Sequence, residues 1–398
     1  MPRLLQINVT SNFGSTGKIT EQISNLAKMS GWESYVAYSR TSIDSKANLI
    51  KIGSIFSLIL HVIQARLFDR AGLGSSIATK RLIKRIDEIN PDVIHLHNIH
   101  GYVLNYKILF TYLNKRNIPI VWTFHDFWAI TGHCAYFYDC CKWMSSCGQC
   151  KRHKDYPFSI IDNSEYNLQL KRDIFANANI NIVTVSKWMS DYISQSILKD
   201  KKVSIIPNGV NVNLFKYTSG SIENGIVESD FVIIGVAIKW DERKGLQDYI
   251  KLSRLLRNNE KIILVGLTER QILGLPGNVI GLRRTETQSD LAKLYSRANV
   301  VLSLSYAETF GLTIVESFAC GTPVIAYDNT AQSDLITEET GIKIKTGDVQ
   351  GVRDAINIIK SKGQEYYEKS CRTRAEKYFD KEMCFKKYIE LYESLLRK

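Results

Sequence analysis

Short apolar runs alternate with amphipathic stretches along almost the whole chain. In the first half the runs at 4–9, 34–38, 93–97, 120–124, 180–185 and 203–206 are four to six residues long and nearly continuous in hydrophobicity. That is the pattern of strands buried on both faces. Between them, positions 18–29, 76–89, 107–115, 164–176 and 187–196 repeat apolar residues at helical spacing. A second series follows, with strands predicted at 231–237, 261–265, 278–281, 300–303, 323–326 and 341–344. Its helices are predicted at 246–256, 288–296, 313–319 and 350–360. Strands that alternate with helices predict parallel sheets. The fold class read here is α/β, with two Rossmann-like, doubly wound domains facing across a cleft and ligands at the C-terminal ends of the strands.

Ile206-Pro207-Asn208-Gly209-Val210-Asn211 is a turn between the two series. It divides a first domain, 1–208, from a second, 209–380. The polar stretch 219–229 reads as a surface loop. In the last segment, 381–398, Phe385, Ile389, Tyr392 and Leu396 have helical spacing, and this helix is expected to pack back on the first domain. A chain of 398 residues exceeds what one core usually serves. No signal peptide is read at the start. The most apolar stretch lies between Lys51 and Arg66 and contains His61, well short of the roughly 20 residues that span a bilayer. A cytoplasmic protein is expected, peripheral to the inner face of the membrane if it meets lipid at all.

Charge adds an asymmetry. Through Asn208 there are 25 Lys/Arg against 15 Asp/Glu; beyond it, 27 against 25. The basic first half suits an anionic partner such as a membrane surface or a diphosphate-linked acceptor, or it is simply a basic surface. Lys80, Arg81, Lys84 and Arg85 share one helical face just beyond the apolar segment 55–68. This predicts peripheral contact with an anionic membrane, against the plainer reading of a solvated face. The basic face lacks the interleaved aromatics of a nucleic-acid binder, so no nucleic-acid partner is expected.

The strongest chemical signal is Glu308-Thr309-Phe310-Gly311-Leu312-Thr313-Ile314-Val315-Glu316, followed by Cys320-Gly321-Thr322-Pro323-Val324. A strand ends just before it and a helix starts near Thr313. The unbonded amides and dipole of a helix start make an anion seat, and Gly311 lets a ligand approach the backbone. Two carboxylates flanking such a seat suit sugar and ribose hydroxyls, although two glutamates eight apart could also be surface carboxylates.

These residues, with the Pro-Asn-Gly hinge, make the chain resemble the family-four retaining glycosyltransferases of the GT-B fold over essentially its full length. The resemblance implies that a hexose-type sugar moves from a UDP- or GDP-sugar to a saccharide or lipid-linked saccharide acceptor. It implies that Glu308 contacts the transferred sugar and Glu316 the ribose, with Phe310, Gly311, Leu312 and Thr313 lending backbone contacts. A second motif, Lys239-Trp240-Asp241-Glu242-Arg243-Lys244-Gly245, precedes a predicted helix. Its cations suit a diphosphate leaving group that gains charge as the glycosidic bond breaks. The family usually has Arg where Lys239 stands, so the bidentate fork is lost there while the charge is kept. Arg243 and Arg284 join the donor-side cations. His125, at a strand end, Glu308 and Lys244 are the expected catalytic groups, and no cofactor is expected for catalysis.

Asp126 either orients His125 or caps the segment after it; with Trp128 and His97 it is placed on the acceptor side. His95 and His97 alternate along one strand face, but no acidic third ligand is evident nearby for a metal triad. Gly14 and Gly17, in Ser11-Asn12-Phe13-Gly14-Ser15-Thr16-Gly17-Lys18, lack Walker A spacing and fit the family's loop near the donor phosphate. Five of the eight cysteines fall between 134 and 150. The Cys147-x2-Cys150 spacing, completed by Cys134 and Cys140, predicts a structural zinc; free thiols or a disulfide are the alternatives. The segment 131–157 looks like an insertion seen in the family's capsule and exopolysaccharide (colanic-acid-type) enzymes. The rival activities are a phosphorylase or epimerase on the same scaffold.

Overall fold

The computed structural model describes residues 1–219 and 226–397, so most of the expected loop at 219–229 lies outside the described residues. The chain divides into two compact units, Met1–Ile206 with Phe385–Lys398, and Pro207–Cys384.

The first unit is built on a seven-stranded sheet. Its strands are β1 (Arg3–Asn8), β2 (Glu33–Tyr38), β3 (Asn48–Lys51), β4 (Val93–Leu96), β5 (Ile120–Phe124), β6 (Ile180–Thr184) and β7 (Lys202–Ile205). Their spatial order is 3-2-1-4-5-6-7, and every pairing is parallel. The central β4, β5 and β6 are buried along their whole length, which explains their unbroken apolar runs. The edges differ. β3 buries only Ile50 and ends on Lys51, and β7 begins on Lys202 with no residue fully buried. Polar, lysine-bearing edges discourage pairing with another chain.

The second unit has six strands: β8 (Phe231–Val236), β9 (Glu260–Val265), β10 (Val279–Leu282), β11 (Val300–Ser303), β12 (Val324–Tyr327) and β13 (Gly341–Ile344). Their order is 10-9-8-11-12-13, again all parallel. In each sheet the winding reverses once, between β1 and β4 and between β8 and β11. At such a switch point the loops diverge to opposite faces and open a crevice beyond the strand ends. The residues singled out at 10–17, 97–100, 237–245 and 304–311 all follow one of these four strands.

The last helix, Lys381–Leu396, buries Phe385, Tyr388, Ile389 and Tyr392, while Leu396 is exposed. From Phe385 onward it belongs to the first unit. There Tyr392 meets Trp32 edge-on, with ring centroids 5.6 Å apart.

Candidate active site

In the second unit the site grows from one close approach. Gly245 has φ +70°, and a Cβ on it would lie 2.1 Å from the carbonyl oxygen of Leu304. Only glycine allows the loop after β8 to press on the loop after β11 this way. The contact is fixed by the Tyr306 amide, which donates to the Arg243 carbonyl (2.8 Å), and by the Arg243 guanidinium, which donates to the Ala307 carbonyl (3.1 Å). Lys244 consequently forms an ion pair with Glu308, and Arg243 stands 4.0 Å from the same carboxylate oxygen. Burial opposes the charge on Glu308, but Lys244 and Arg243 outweigh it and hold the carboxyl below its ordinary range. The Glu308 amide donates to Thr330 Oγ1 (3.2 Å), and its carbonyl accepts from the Ala331 amide (3.1 Å).

The helix Leu312–Ala319 starts at Gly311, whose φ is +105°, with no side chain capping its first amides. Phe310 is buried, edge-on to Phe379 at 5.9 Å, so any ligand contact from it comes through its backbone. Glu316 accepts a hydrogen bond from the buried Tyr295 hydroxyl (3.0 Å), which fixes its carboxylate one turn into the helix. Lys239 is exposed after β8. Arg284 is exposed after β10, the edge strand.

In the first unit the histidines form a hydrogen-bonded stack whose tautomers can be worked out. The Gln6 amide nitrogen donates to the Thr20 carbonyl (3.0 Å), so its oxygen faces His97 Nε2 (3.2 Å) and accepts. His97 Nε2 therefore carries the proton and Nδ1 accepts. Nδ1 lies 3.1 Å from His125 Nε2, which must donate. Burial above all, with His100 adding to it against the pull of Asp126, drops the His125 pKa to about 4, so the ring is neutral near pH 7. Beneath it, Thr123 donates to the Tyr388 hydroxyl (3.1 Å) and accepts from His95 Nε2 (2.8 Å), and Tyr392 donates to His95 Nδ1 (2.6 Å). The last helix thus completes the polar layer under His125.

Asp126 pairs with His100 Nε2 (3.2 Å) and accepts from the Trp128 amide (3.0 Å), the contact of a cap. Trp128 is 2 % exposed and lies between His100, stacked at 5.0 Å, and Lys171, whose ammonium sits 3.6 Å from the ring centroid. Gly14 is exposed with φ +67° and open space where a Cβ would point. Gly17 is buried, and a Cβ there would lie 2.6 Å from Thr10 Oγ1. Gly17 therefore lets the helix start pack on the strand end, while Gly14 is the glycine a ligand can reach.

The family models for glycosyltransferase family 4 and for glycosyl transferases group 1 match residues 19–214 and 222–378, one on each side of the hinge. The chain belongs to the family 4, group 1 glycosyltransferases. Along its full length, this glycosyltransferase is similar to WcaC of Escherichia coli K12, assigned to colanic acid biosynthesis. The two are 22 % identical, over 98 % of this chain and 100 % of WcaC. Among solved structures, sucrose-phosphate synthase from Thermosynechococcus elongatus superposes with a TM-score of 0.76 at 19 % identity, covering 100 % of both chains. HepE of Anabaena in complex with UDP-glucose superposes at 0.67 and 15 % identity, covering 98 % of this chain and 99 % of HepE. The glycosyltransferase has the GT-B fold.

The zinc expectation finds no support in the structure. Among the described residues, no group of three or more His, Cys, Asp or Glu side chains is placed to hold a metal ion. Cys134, Cys140, Cys147 and Cys150 instead stand around a cavity of 560 Å³. The Gly132 amide donates to Cys147 Sγ (3.3 Å). None of the eight cysteines is in a disulfide among the described residues. This segment has an aromatic core of its own. Phe137 and Trp143 are buried, pack on each other at 5.0 Å, and meet Tyr192 at 4.9 and 5.8 Å. The spacing of the aromatics could have signalled this cluster. Lys171, buried and bonded to the Trp128 and Thr131 carbonyls (2.6 and 2.8 Å), carried no such signal.

Proposed function

We propose that this glycosyltransferase moves a hexose from a UDP- or GDP-sugar to a saccharide or lipid-linked saccharide acceptor, with retention of anomeric configuration, in the making of a cell-surface polysaccharide. The observation that carries the reading is the convergence of Lys244, Arg243 and Glu308 before the uncapped helix at Gly311. The amides of that helix start, together with the cations, suit a diphosphate, and the Glu308 carboxylate suits the hydroxyls of an attached hexose. As the bond from the sugar carbon to the phosphate oxygen breaks, its electron pair goes to the diphosphate. Lys244, Arg243 and the helix start stabilise the new charge. The acceptor oxygen bonds to the same face of the sugar carbon, and its proton passes to the departing phosphate oxygen.

His125 is neutral near pH 7, and the reading does not require it to be a nucleophile. The fixed cations do for the diphosphate what a divalent ion does elsewhere, so turnover should survive EDTA. The end-to-end similarity to WcaC supports the polysaccharide assignment, and HepE, crystallised with UDP-glucose, supports a nucleotide-sugar donor.

The test is a thermal-shift screen of UDP- and GDP-sugars, followed by an assay of nucleotide release with and without saccharide acceptors and NMR assignment of the product anomer. Acceptor-dependent release with a retained anomer, lost in Glu308→Gln, is expected. Release that requires inorganic phosphate, or conversion of the donor with no acceptor, would instead establish a phosphorylase or an epimerase.

A further inference from the structure

The helix Ile55–Phe68 buries only His61 and Ala65. His61 pins it, with Nε2 accepting from the amides of Gly72 (3.0 Å) and Gly74 (3.1 Å) and Nδ1 bonded to Ser75 Oγ (2.9 Å). The outer face is apolar: Ile55, Phe56, Ile59, Leu60, Ile63 and Leu67 are each 40–74 % exposed. Arg66 is the only charged residue on the helix. At its C-terminal end the Ile160 amide donates to the Arg66 carbonyl (2.7 Å), and Asn163 Nδ2 donates to the Phe68 carbonyl (2.8 Å). These bonds bring exposed Phe158, Ile160 and Ile161 beside exposed Phe68 and extend the patch. Monomeric proteins rarely leave so many large apolar side chains contiguous in water.

Ser75, bonded to His61, leads directly into the helix Ser76–Ile89, which exposes Lys80, Arg81, Lys84 and Arg85. A wide apolar face thus adjoins a row of cations. Among the described residues no helix is long and apolar enough to cross a membrane, so the patch is suited to lying on a bilayer.

We infer that this face docks on an anionic lipid bilayer. The helix Ile55–Phe68 lies in the interfacial plane with its apolar side chains at the acyl boundary, and the cations of the next helix meet the headgroups. Charge favours this occupant over a second copy of the chain. Two copies would bring together surfaces from segments carrying 25 Lys/Arg against 15 Asp/Glu, whereas an anionic surface attracts them. The inference does not depend on the transfer reaction proposed above.

The experiment is co-sedimentation of the full chain with phosphatidylcholine vesicles, with and without phosphatidylglycerol, at low salt. Binding is expected to the anionic vesicles and to weaken as salt is raised. Leu60→Glu and, separately, Phe56→Ser should release the protein while keeping its far-UV circular dichroism. Both positions are exposed, so two independent variants guard against a misfolded one. Lys80→Gln/Lys84→Gln should weaken binding about 20- to 30-fold, at about five-fold per cation. Leu273→Glu, an exposed apolar site in the second unit, should bind as the parent does. The inference fails if anionic vesicles recover no protein, if Leu60→Glu and Phe56→Ser bind like the parent, or if light scattering shows a dimer that Leu60→Glu dissolves.

Discussion

Acidification offers a sharp test of the histidine stack. Four imidazoles of the first unit are buried and kept neutral. Burial lowers the pKa of His61 and His125 to about 4 and holds those of His95 and His97 well below the usual value, with neighbouring imidazoles adding to the effect in the stack. In the unfolded chain each titrates near 6.5. Below that value the unfolded state binds more protons than the folded one, so stability falls as pH falls; above it the contribution is intact. At about pH 5.5 each histidine costs about 1.4 kcal/mol. Four give a loss of about 5 kcal/mol relative to neutral pH, comparable to the whole stability of many domains. Ordinary carboxylates titrate lower and contribute little in this window.

Urea unfolding followed by tryptophan fluorescence at about pH 7.5 and about pH 5.5 measures the loss. Five of the six tryptophans, Trp32, Trp122, Trp128, Trp143 and Trp188, lie in the first unit, so the signal reports mainly on it. A change below about 1 kcal/mol would refute the reasoning. Some of these rings would then carry charge in the fold, and the donor–acceptor order from Gln6 to His125 would be wrong.

Three further outcomes are expected. Lys244→Ala should lower kcat by about 100- to 1000-fold in steady-state assays with unchanged circular dichroism, because Glu308 and the leaving diphosphate both lose their nearest cation. Gly245→Ala should cost about 2 kcal/mol or more in calorimetric stability and reduce turnover, since its Cβ would collide with the Leu304 carbonyl and part the two loops. Tyr392→Phe should cost about 1–3 kcal/mol in urea unfolding, because His95 Nδ1 is left buried without its donor.

The strands were legible where both faces are buried, as at β5 and β11, because the apolar run is then continuous. β3 was not, because an edge strand with one buried residue leaves no run. The helix Ile55–Phe68 could be read only as an apolar segment, because apolar residues nearly all round a helix erase its period. The loop of Arg243 and Lys244 and the seat at Glu308 were legible as motifs, since each is local. What joins them was not: the requirement for glycine at 245 comes from a carbonyl at 304. His97 stood out by its alternation with His95, yet its partners, Gln6 and His125, lie on other strands. Sequence proximity to His125 says nothing of Lys171 beneath the Trp128 ring. Cysteine spacing suggested a shared ligand, but where the sulfurs point depends on the path of an irregular loop around its own aromatic cluster.

The first unit is not one continuous stretch of chain, because its polar layer is finished by Tyr388 and Tyr392, close to the last residue. A ribosome releases those tyrosines only after every residue of the second unit has been made, so the half synthesised first is the half completed last. A fragment ending at Ile206 would expose the rim around Trp32 and His95. Anyone grafting this half onto a relative must therefore transplant two separated pieces of gene.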